Sequence, residues 1–475
     1  MKSKNAIRNV TWDELQVGAT ARIERICDAD DLVLFAHASG NVNPLTLPSR
    51  AGEGGDHPVA PSLWVGSLVS AVLGNILPGA GTMYLSQNFR FGARVHPGDA
   101  LSVEVRCLEL REKPVAIFEV RVWKGDGEMA CEGVAEVAAP IQTIVSSREE
   151  LPALFLDRHD HFAKLLARAA TLEPLRTAVV WPDDRHSLAG ALLAESHGLI
   201  EPILIGPRAQ IVELAASESL ALKDSWIVDA ADHREACARA VEMTRNGEAR
   251  AIMKGNIHSD LILGAVLRKE AGLRGERRIS HVFAMDAPTL DRLLFISDAA
   301  VNIAPDLSVK VDIVQNAIDL ARACLVETPK VGVLSAVETV NIAIPSTLDA
   351  AILSKMAERG QIRGGIVDGP LAMDNAVDAG AAGTKGIASL VAGHADILIA
   401  PNIEAGNMLA KELTFVARAE AAGLVIGAKV PIMLTSRADN ERARLASSAL
   451  AALYDHWLRT GSAVQDAPKM SEAAE

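Results

Sequence analysis

The chain has 475 residues, of which 49% are hydrophobic and only 4% aromatic, and it contains 35 glycines. This length predicts two to four domains, and an aliphatic, glycine-rich composition is typical of layered α/β proteins. The formal net charge of −13 argues against nucleic acid as a partner, and no apolar segment approaches the roughly 18 residues that a membrane-spanning helix needs.

The cysteines are scattered through the chain. They are Cys27, Cys107, Cys131, Cys237 and Cys324. No C-x-x-C motif and no metal-type His spacing accompanies them, so we expect buried free thiols, no metal site and a reducing, cytoplasmic setting. Residues 1–9 are basic but have no apolar core, which argues against a signal peptide.

The first part of the chain, residues 10–142, predicts one compact domain. Residues 61–77 form a long apolar segment typical of a buried helix. Alternating apolar and polar residues then predict antiparallel strands with one buried face, at 83–89, 100–110, 115–123 and 129–137. The sequence therefore indicates one helix wrapped by an antiparallel sheet.

Residues 143–161 are polar and charged and predict a linker; the histidine pair at its end fits a linker or a helix start better than a metal site. From residue 162 to 460, short apolar strands alternate with helical patterns, which predicts a parallel sheet covered on both faces. We expect two lobes with a cleft between them, formed by 162–290 plus 430–460 and by 291–429. Residues 461–475 predict a disordered tail.

Polar side chains follow the predicted strands of this C-terminal part. They are Lys254, Asp298, Asn302, Asp368, Glu404, Asn407, Ser436, Arg437 and Asp439. Open α/β sheets bind ligands outside the carboxyl ends of their strands. For each Asp, Asn or Ser, capping of the next helix is an equally good interpretation. Lys254 and Arg437 are not capping residues, and in an acidic protein they indicate a local site for a phosphate-bearing substrate.

Several common motifs are missing from the sequence. There is no G-x-x-x-x-G-K-[ST] and no G-x-G-x-x-G between a strand and a helix, which argues against nucleotide hydrolysis and dinucleotide binding. There is also no G-x-S-x-G, which argues against a hydrolase elbow.

Residues 160–460 resemble the phosphate acetyltransferase and phosphate butyryltransferase family. The resemblance is carried by Met253-Lys-Gly255, Ser280-His281, Asp298-Ala-Ala, Asn302-Ile-Ala-Pro305, Asp368-Gly-Pro-Leu-Ala, Glu404-Ala-Gly-Asn407 and Ser436-Arg-Ala-Asp439. It implies a two-lobed α/β fold of the isocitrate/isopropylmalate dehydrogenase type. It also implies the reaction acyl-CoA + phosphate ⇌ acyl phosphate + CoA, with CoA and phosphate as substrates and no metal or redox cofactor.

The resemblance suggests roles for individual residues. Arg437 is expected to hold the phosphoryl group, Ser436 to hydrogen-bond at the reacting centre and Lys254 to provide a second contact to an anion. The residues expected to line the rest of the cleft are Asp298, Asn302, Asp368, Glu404, Asn407 and Asp439. Acetyl-preferring relatives carry an Asp base shortly after the Ser-Arg pair, but residues 440–443 contain none. This favours the butyryl-type branch or a different base, and a thiol of pKa near 8.5 needs little help to ionise.

Residues 10–140 resemble the MaoC-like enoyl-CoA hydratases, which have a hotdog fold. The stretch 35–46, Leu77-Pro-Gly79, Phe89-Arg-Phe91 and Pro97-Gly-Asp99 carry the resemblance. Active members read Gly-Asp-x-Asn-Pro-x-His, whereas this chain has Asn41 in the Asp position and Thr46 in the His position. Neither side chain can act as a base near pH 7, so we expect hydration to be lost. His37 and His57 lie nearby, but ordinary surface positions explain them better.

Three functions stay open at this point. The chain is an acyltransferase with a degenerate hotdog domain, a bifunctional hydratase and acyltransferase, or a non-catalytic acyl-CoA-binding scaffold. A single hotdog lacks a complete cleft and hotdog helices commonly pair across a two-fold, so we also expect a homo-oligomer with isologous contacts.

Overall fold

The computed structural model describes residues 6–47, 58–147, 160–434 and 441–464. The chain divides into two compact units, Met1–Leu156 and Asp157–Glu475. Among the described residues, no helix has both the length and the apolar character needed to cross a membrane.

The N-terminal unit consists of one antiparallel sheet, two helices and a small strand pair. Its strands are β1 (Ala6–Arg8), β2 (Thr20–Ile26), β3 (Met83–Phe91), β4 (Ala100–Leu110), β5 (Val115–Lys124), β6 (Met129–Ala138) and β7 (Val145–Ser147), and its helices are α1 (Ala29–Ser39) and α2 (Ser62–Asn75). In the described part of the unit, β1 pairs with β7 and the other five strands form a sheet in the order β2-β4-β5-β6-β3.

Helix α2 is the centre of this unit. It contains no charged residue, and Trp64, Val65, Val69 and Val72 are all buried. The strands around it alternate as predicted: on β4, for instance, Leu101, Val103, Val105 and Cys107 are fully buried. The hotdog arrangement of one buried helix wrapped by an antiparallel sheet is therefore confirmed.

Strand β2 and helix α1 are additional to the elements predicted from the sequence. Helix α1 begins with a capping box, in which the Asp28 side chain accepts from the backbone and the Asp31 side chain accepts from the backbone N–H of Asp28. It ends at Gly40, whose φ of 72° a residue with a side chain adopts less readily. The capping residues were thus a readable signal for this helix.

The C-terminal unit is a larger α/β structure. Its strands are β8 (Leu175–Val180), β9 (Ile200–Gly206), β10 (Ile227–Asp229), β11 (Ala251–Lys254), β12 (Ser280–Asp286), β13 (Leu294–Ser297), β14 (Lys330–Leu334), β15 (Ile366–Leu371), β16 (Ile397–Ile399), β17 (Glu420–Ile426) and β18 (Ile432–Met433). Its helices are α3 (His161–Ala169), α4 (Arg185–Ser196), α5 (Arg208–Ser217), α6 (His233–Arg245), α7 (Ser259–Val266), α8 (Leu307–Ala323), α9 (Pro345–Glu358), α10 (Met373–Val377), α11 (Ala379–Thr384), α12 (Ile403–Phe415) and α13 (Glu441–Thr460), with 3-10 turns at Asp224–Trp226 and Lys269–Ala271.

Within the described chain, these strands form one sheet in the order β10-β9-β8-β11-β18-β17-β12-β13-β16-β14-β15. The first five are mutually parallel, and so are the last four. The predicted α/β fold is confirmed, and most strands of its sheet lie in parallel groups as expected. Among the described strands, β17 and β12 are antiparallel to both of their neighbours. The connections from β12 to β13 and from β17 to β18 are too short for a parallel crossover.

This reversal makes the two parallel groups run in opposite directions. One face of the sheet carries a single hydrophobic cluster that spans both groups and includes Met253, Val282, Phe295 and Leu424. The opposite face carries two separate clusters. The first is built around Ile252, Val425 and Ile432, and the second around Met285, Leu294 and Ile296. The two lobes therefore share one continuous core layer and are separate on the other face only.

Helix α3 is fastened to the sheet by its first residue. Nδ1 of His161 lies 2.9 Å from Oδ1 of Asp286, its backbone N–H donates to Oδ2 at 2.8 Å, and Nε2 lies 3.0 Å from the carbonyl oxygen of Asp291. Both ring partners are acceptors, so both ring nitrogens donate when the imidazole is protonated. The hydrogen bond to Asp286 accordingly raises the pKa of His161 above its ordinary value.

We predict that His161→Gln destabilises the C-terminal unit by about 2 kcal/mol at pH 5.5 and by less at pH 8.5. A raised pKa in the folded state means that the stabilisation is complete below the unfolded-state pKa and is lost as the pH rises through the folded one. Differential scanning calorimetry of the full chain at both pH values measures this, with exposed His186→Gln on α4 as the control. An equal effect at both pH values would contradict the charged hydrogen bond.

Candidate active site

A tight turn after β13 holds several of the predicted site residues. Oδ1 of Asp298 accepts from the N–H groups of Ala300 at 2.9 Å and Val301 at 3.0 Å. Its Oδ2 accepts from the backbone N–H of Asn302 at 3.0 Å and from Nδ2 of Asn302 at 2.6 Å. Asp298 is only 3% exposed, so this carboxylate is a buried anion satisfied by the chain itself. Asn302 also ties the turn to β12 by donating to the carbonyl oxygen of Ile279 at 2.9 Å.

Helix α12 packs directly on this turn. A Cβ atom on Gly406 would lie 2.2 Å from the carbonyl oxygen of Asp298, so only glycine allows the helix to approach so closely. At the next residue, Nδ2 of Asn407 donates to the carbonyl oxygen of Ala299 at 3.0 Å. The Asn402 side chain caps the helix by accepting from the N–H of Ala405 at 2.9 Å. Asp298, Asn302 and Asn407 thus form one hydrogen-bonded group.

His281 lies at the boundary between the two clusters on the divided face of the sheet. It pairs with Val425 of β17, and its neighbour Val282 pairs with Ser297, which directly precedes Asp298. The side chain is 2% exposed, and no described residue hydrogen-bonds its Nδ1. Burial lowers the pKa of His281 to about 4, against the opposing charge of Asp298, so the imidazole is neutral near pH 7.

His281 belongs to the Ser280-His281 pair that carries part of the family resemblance, but the sequence predicted no role for it. On the neighbouring strand β17, the position of Gly423 has no room for a side chain, because a Cβ atom there would lie 2.8 Å from Nε2 of His281. A histidine inside an apolar strand was the available signal. Sequence alone could not show that the ring stands at the boundary between the lobes.

Lys254 is the last residue of β11 and is only 8% exposed. Lys254 lies two residues after Ile252 on the same strand, so both side chains point to the same face of the sheet. Ile252 belongs to the first cluster on the divided face, and Lys254 therefore lies on that face. Strand β18 pairs with β11, with Met433 opposite Met253. The chain that continues from β18 therefore starts beside Lys254.

The remaining predicted residues are not all brought together. Asp368 lies on edge strand β15, where its carboxylate bonds the Ser389 hydroxyl and the N–H of Gly369. Glu404 is exposed in the first turn of α12. The proposed catalytic pair Ser436 and Arg437, together with Asp439, lies outside the described residues.

On the divided face of the sheet, the described residues include a buried lysine side chain at the end of β11, and a neutral imidazole on β12 and a rigid turn after β13, which are three and four strands away in the sheet order. Because the two parallel groups run in opposite directions, the carboxyl ends of β11 and β13 point in opposite directions. A buried cation at a strand end provides an electrostatic contact for an anionic substrate. The turn supplies fixed geometry, because each of its polar groups is committed to a neighbour.

Comparison with known proteins identifies the family. Residues 232–452 match the family model described as "Phosphate acetyl/butaryl transferase". A phosphate acetyltransferase from Rhizobium meliloti is 55% identical over 293 residues, which are 62% of this chain and 93% of that protein. The chain belongs to the phosphate acetyl/butyryltransferase family. The predicted membership in this acyltransferase family is thereby confirmed.

Other members of the phosphate acetyl/butyryltransferase family agree. A phosphate butyryltransferase from Clostridium acetobutylicum is 41% identical, and the match covers 62% of this chain and 97% of that protein. A crystal structure of a branched-chain phosphotransacylase from Enterococcus faecalis V583 is 27% identical with a TM-score of 0.52, covering 59% of this chain and 99% of that one. The acetyl- and butyryl-named relatives match the same share of the chain, and the former is the more similar.

In the N-terminal unit, the two degenerate motif positions serve the local loop. Oδ1 of Asn41 accepts from the N–H of Asn43 at 3.2 Å, and the Thr46 hydroxyl donates to the carbonyl oxygen of Asn43 at 3.0 Å. Nearby His37 is exposed in the last turn of α1, and His57 lies outside the described residues. Both motif side chains thus have structural partners in place of catalytic ones.

We predict that Asp298→Asn lowers the stability of the C-terminal unit by about 2–4 kcal/mol and reduces acyl transfer. An amide has one acceptor oxygen and one NH2 group, so N–H donors of the turn would face another donor. Calorimetry and steady-state kinetics measure the two effects. The matched control is Asp260→Asn at an exposed position of α7, and equal stability of both variants would disprove the role of the Asp298 carboxylate.

Proposed function

We propose that the C-terminal unit transfers an acyl group between CoA and inorganic phosphate. The observation that carries this proposal is the 55% identity to a phosphate acetyltransferase along 93% of that protein's length. The buried Lys254 beside β18 supports it, because an enzyme with a net charge of −13 must build a local positive site for two anionic substrates.

In the proposed reaction, an oxygen of phosphate attacks the thioester carbonyl carbon and a C–O bond forms. The tetrahedral intermediate collapses, the C–S bond breaks, and CoA leaves as a thiolate that takes up a proton. Orientation of the two bound reactants supplies much of the rate, and fixed donors at the oxyanion supply several kcal/mol more. We propose that no metal or redox cofactor takes part.

The residue roles follow the sequence proposal. Arg437 holds the phosphoryl group through its planar fork, Ser436 hydrogen-bonds at the reacting centre, and Lys254 contacts an anion. The position of β18 beside β11 supports this, since the Ser-Arg pair follows β18 in the sequence. The turn with Asp298, Asn302 and Asn407 acts as a rigid wall of the cleft. Contacts of Asp368, Glu404 and Asp439 with substrate remain predictions.

We also propose that the N-terminal unit keeps a hotdog shape for binding or assembly and has lost hydration chemistry. The loop hydrogen bonds of Asn41 and Thr46 support this, together with the absence of a titrating side chain at either position. A cytoplasmic location is supported by the cysteines, all five of which are free and buried.

We further propose that the chain forms a homo-oligomer through strand β3. This nine-residue strand lies at an edge of the sheet, and Met83, Leu85 and Phe91 are 66%, 48% and 37% exposed. Exposed apolar edge strands of this length are usually covered in natural proteins. A two-fold axis through Gln87 would pair Met83 with Phe91 of a second copy.

We predict that CoA release from acetyl-CoA or butyryl-CoA depends strictly on phosphate. Arg437→Lys should lower kcat/KM, because a bidentate fork becomes a point charge. The expected loss of transition-state stabilisation is roughly 2–4 kcal/mol. Thiol release with acyl chains from two to eight carbons, with and without phosphate, measures both. Exposed Arg185→Lys is the control. A non-catalytic scaffold would release no CoA, and near-normal rates for Arg437→Lys would refute the assignment of this residue.

We predict that the full chain does not hydrate crotonyl-CoA, because neither motif position offers a base. Loss of absorbance of the enoyl thioester measures hydration directly. Turnover at an enzymatic rate, with acyl transfer intact, would instead establish the bifunctional enzyme.

A further inference from the structure

A strained turn follows strand β8 at the carboxyl edge of the first parallel group of strands. Trp181, the residue directly after β8, has a φ of 62°, a backbone conformation that a bulky residue rarely adopts. The turn is held from two sides, because the N–H of Trp181 donates to the carbonyl oxygen of Ile205 at 2.7 Å and its carbonyl oxygen accepts from the N–H of Asn256 at 2.8 Å. Strain of this kind persists only where the surrounding structure imposes it, and it is concentrated at functional sites.

The loop after β11 packs closely against this turn. A Cβ atom on Gly255 would lie 2.4 Å from the carbonyl oxygen of Trp181 and 2.5 Å from that of Val180, so only glycine allows the contact. Strand β11 lies between β8 and β18, and the three strands are parallel. The turn therefore lies on one side of Lys254 at the end of β11, and the chain that continues from β18 starts on the other side.

Asp183 joins the two loops through both of its carboxylate oxygens. Oδ2 accepts from Nε1 of Trp181 at 2.8 Å, and Oδ1 accepts from Nδ2 of Asn256 at 2.9 Å. Trp181 is only 8% exposed, and its ring packs edge-on against His233 at the start of α6, with 4.5 Å between the ring centroids. The Asp183 carboxylate is thus fixed by a buried indole and in turn holds a side-chain amide.

These contacts determine the orientation of the Asn256 amide. Its NH2 group is committed to Asp183, so its carbonyl oxygen Oδ1 is left as an acceptor. No hydrogen bond joins Oδ1 to another residue of the described chain, and Asn256 is partly exposed. Asn256 therefore presents a hydrogen-bond acceptor of fixed orientation two residues after Lys254.

The chemistry of this acceptor indicates the kind of group that it binds. An amide oxygen beside a carboxylate disfavours an anion and favours an N–H donor. A CoA thioester carries such donors in the amides of its pantetheine arm, which leads to the reacting sulfur. The same strand end thus combines Lys254, suited to an anionic group, with Asn256, suited to a neutral amide.

We propose that Oδ1 of Asn256 accepts a hydrogen bond from an amide N–H of the pantetheine arm of CoA, and that Asp183 positions Asn256 for this contact. The inference rests on the proposed acyl transfer between CoA and phosphate, and it adds the residues that hold the arm of the thioester beside Lys254. Asp183 does not touch the substrate and acts through the orientation of the Asn256 amide. A fixed arm limits the motion of the thioester carbonyl relative to phosphate, which favours the reaction.

Exchange of the two side chains in the full chain tests the pair. In Asp183→Asn, the new amide keeps its oxygen for the indole and turns its NH2 group toward Asn256, which must rotate and then offers a donor to the substrate. In Asn256→Asp, two carboxylates face each other. Each single variant should raise KM for the acyl-CoA about five- to tenfold, as expected for the loss of one hydrogen bond, and leave KM for phosphate within about twofold.

The double variant Asp183→Asn with Asn256→Asp reverses the direction of the hydrogen bond between the two side chains. It keeps an acceptor oxygen toward the substrate, so KM for the acyl-CoA should return to within about threefold of the wild type. Exposed Asp260→Asn on α7 is the control and should keep both KM values. Adenosine 3′,5′-bisphosphate, which contains the nucleotide half of CoA without the pantetheine arm, should inhibit the wild type and the variants with the same Ki.

Three results would overturn the proposal: single variants with an unchanged KM for the acyl-CoA, a double variant as impaired as the single ones, or a Ki that rises together with this KM. A lower melting temperature, with parallel changes in kcat and both KM values, would show that the pair only stabilises the fold. A wild type without phosphate-dependent thiol release would refute the proposed reaction itself. That outcome is distinct from a failure of the present inference, in which the wild type is active and the exchange has no effect.

Discussion

A buried carboxylate must find donors within the protein, and in the C-terminal unit Asp298 meets this requirement with four N–H groups from residues 300–302. These hydrogen bonds fix the conformation of the turn, and the turn then positions the elements that pack against it. Asn302 anchors it to β12, while Gly406 and Asn407 bring α12 against its outer side. The rigidity of this turn follows from the hydrogen bonds that a buried carboxylate needs when it is removed from water.

The position of the 298–302 turn is determined by the sheet. Reversal of direction at β17 and β12 leaves one face with a continuous hydrophobic layer and divides the other face into two clusters. Polar residues gather on the divided face, where His281 stands next to Asp298 and Lys254 ends β11. A continuous apolar layer joins the two parallel groups on one side of the sheet, while on the other side the hydrophobic clusters are separate.

In both units, polar side chains hold a local loop or turn through hydrogen bonds. In the N-terminal unit, Asn41 and Thr46 use their polar groups to hold a loop, and no titrating group stands at either position. In the C-terminal unit, Asp298 and its neighbours hold the 298–302 turn, while Lys254 and His281 are buried on the divided face of the sheet.

Much of this protein could be predicted from the sequence by itself. Period-2 alternation and the charge-free α2 determined the hotdog arrangement, because burial of one face dictates both patterns. The strand-end residues of the C-terminal part and the family resemblance determined the reaction class. Tertiary structure alone decided the direction of β12 and β17, the grouping of Asp298 with Asn302 and Asn407, and the placement of Asp368 on an edge strand apart from them. These depend on pairing between strands distant in the chain, and local patterns of apolar residues carry no information about which distant strand, or which direction, completes the sheet.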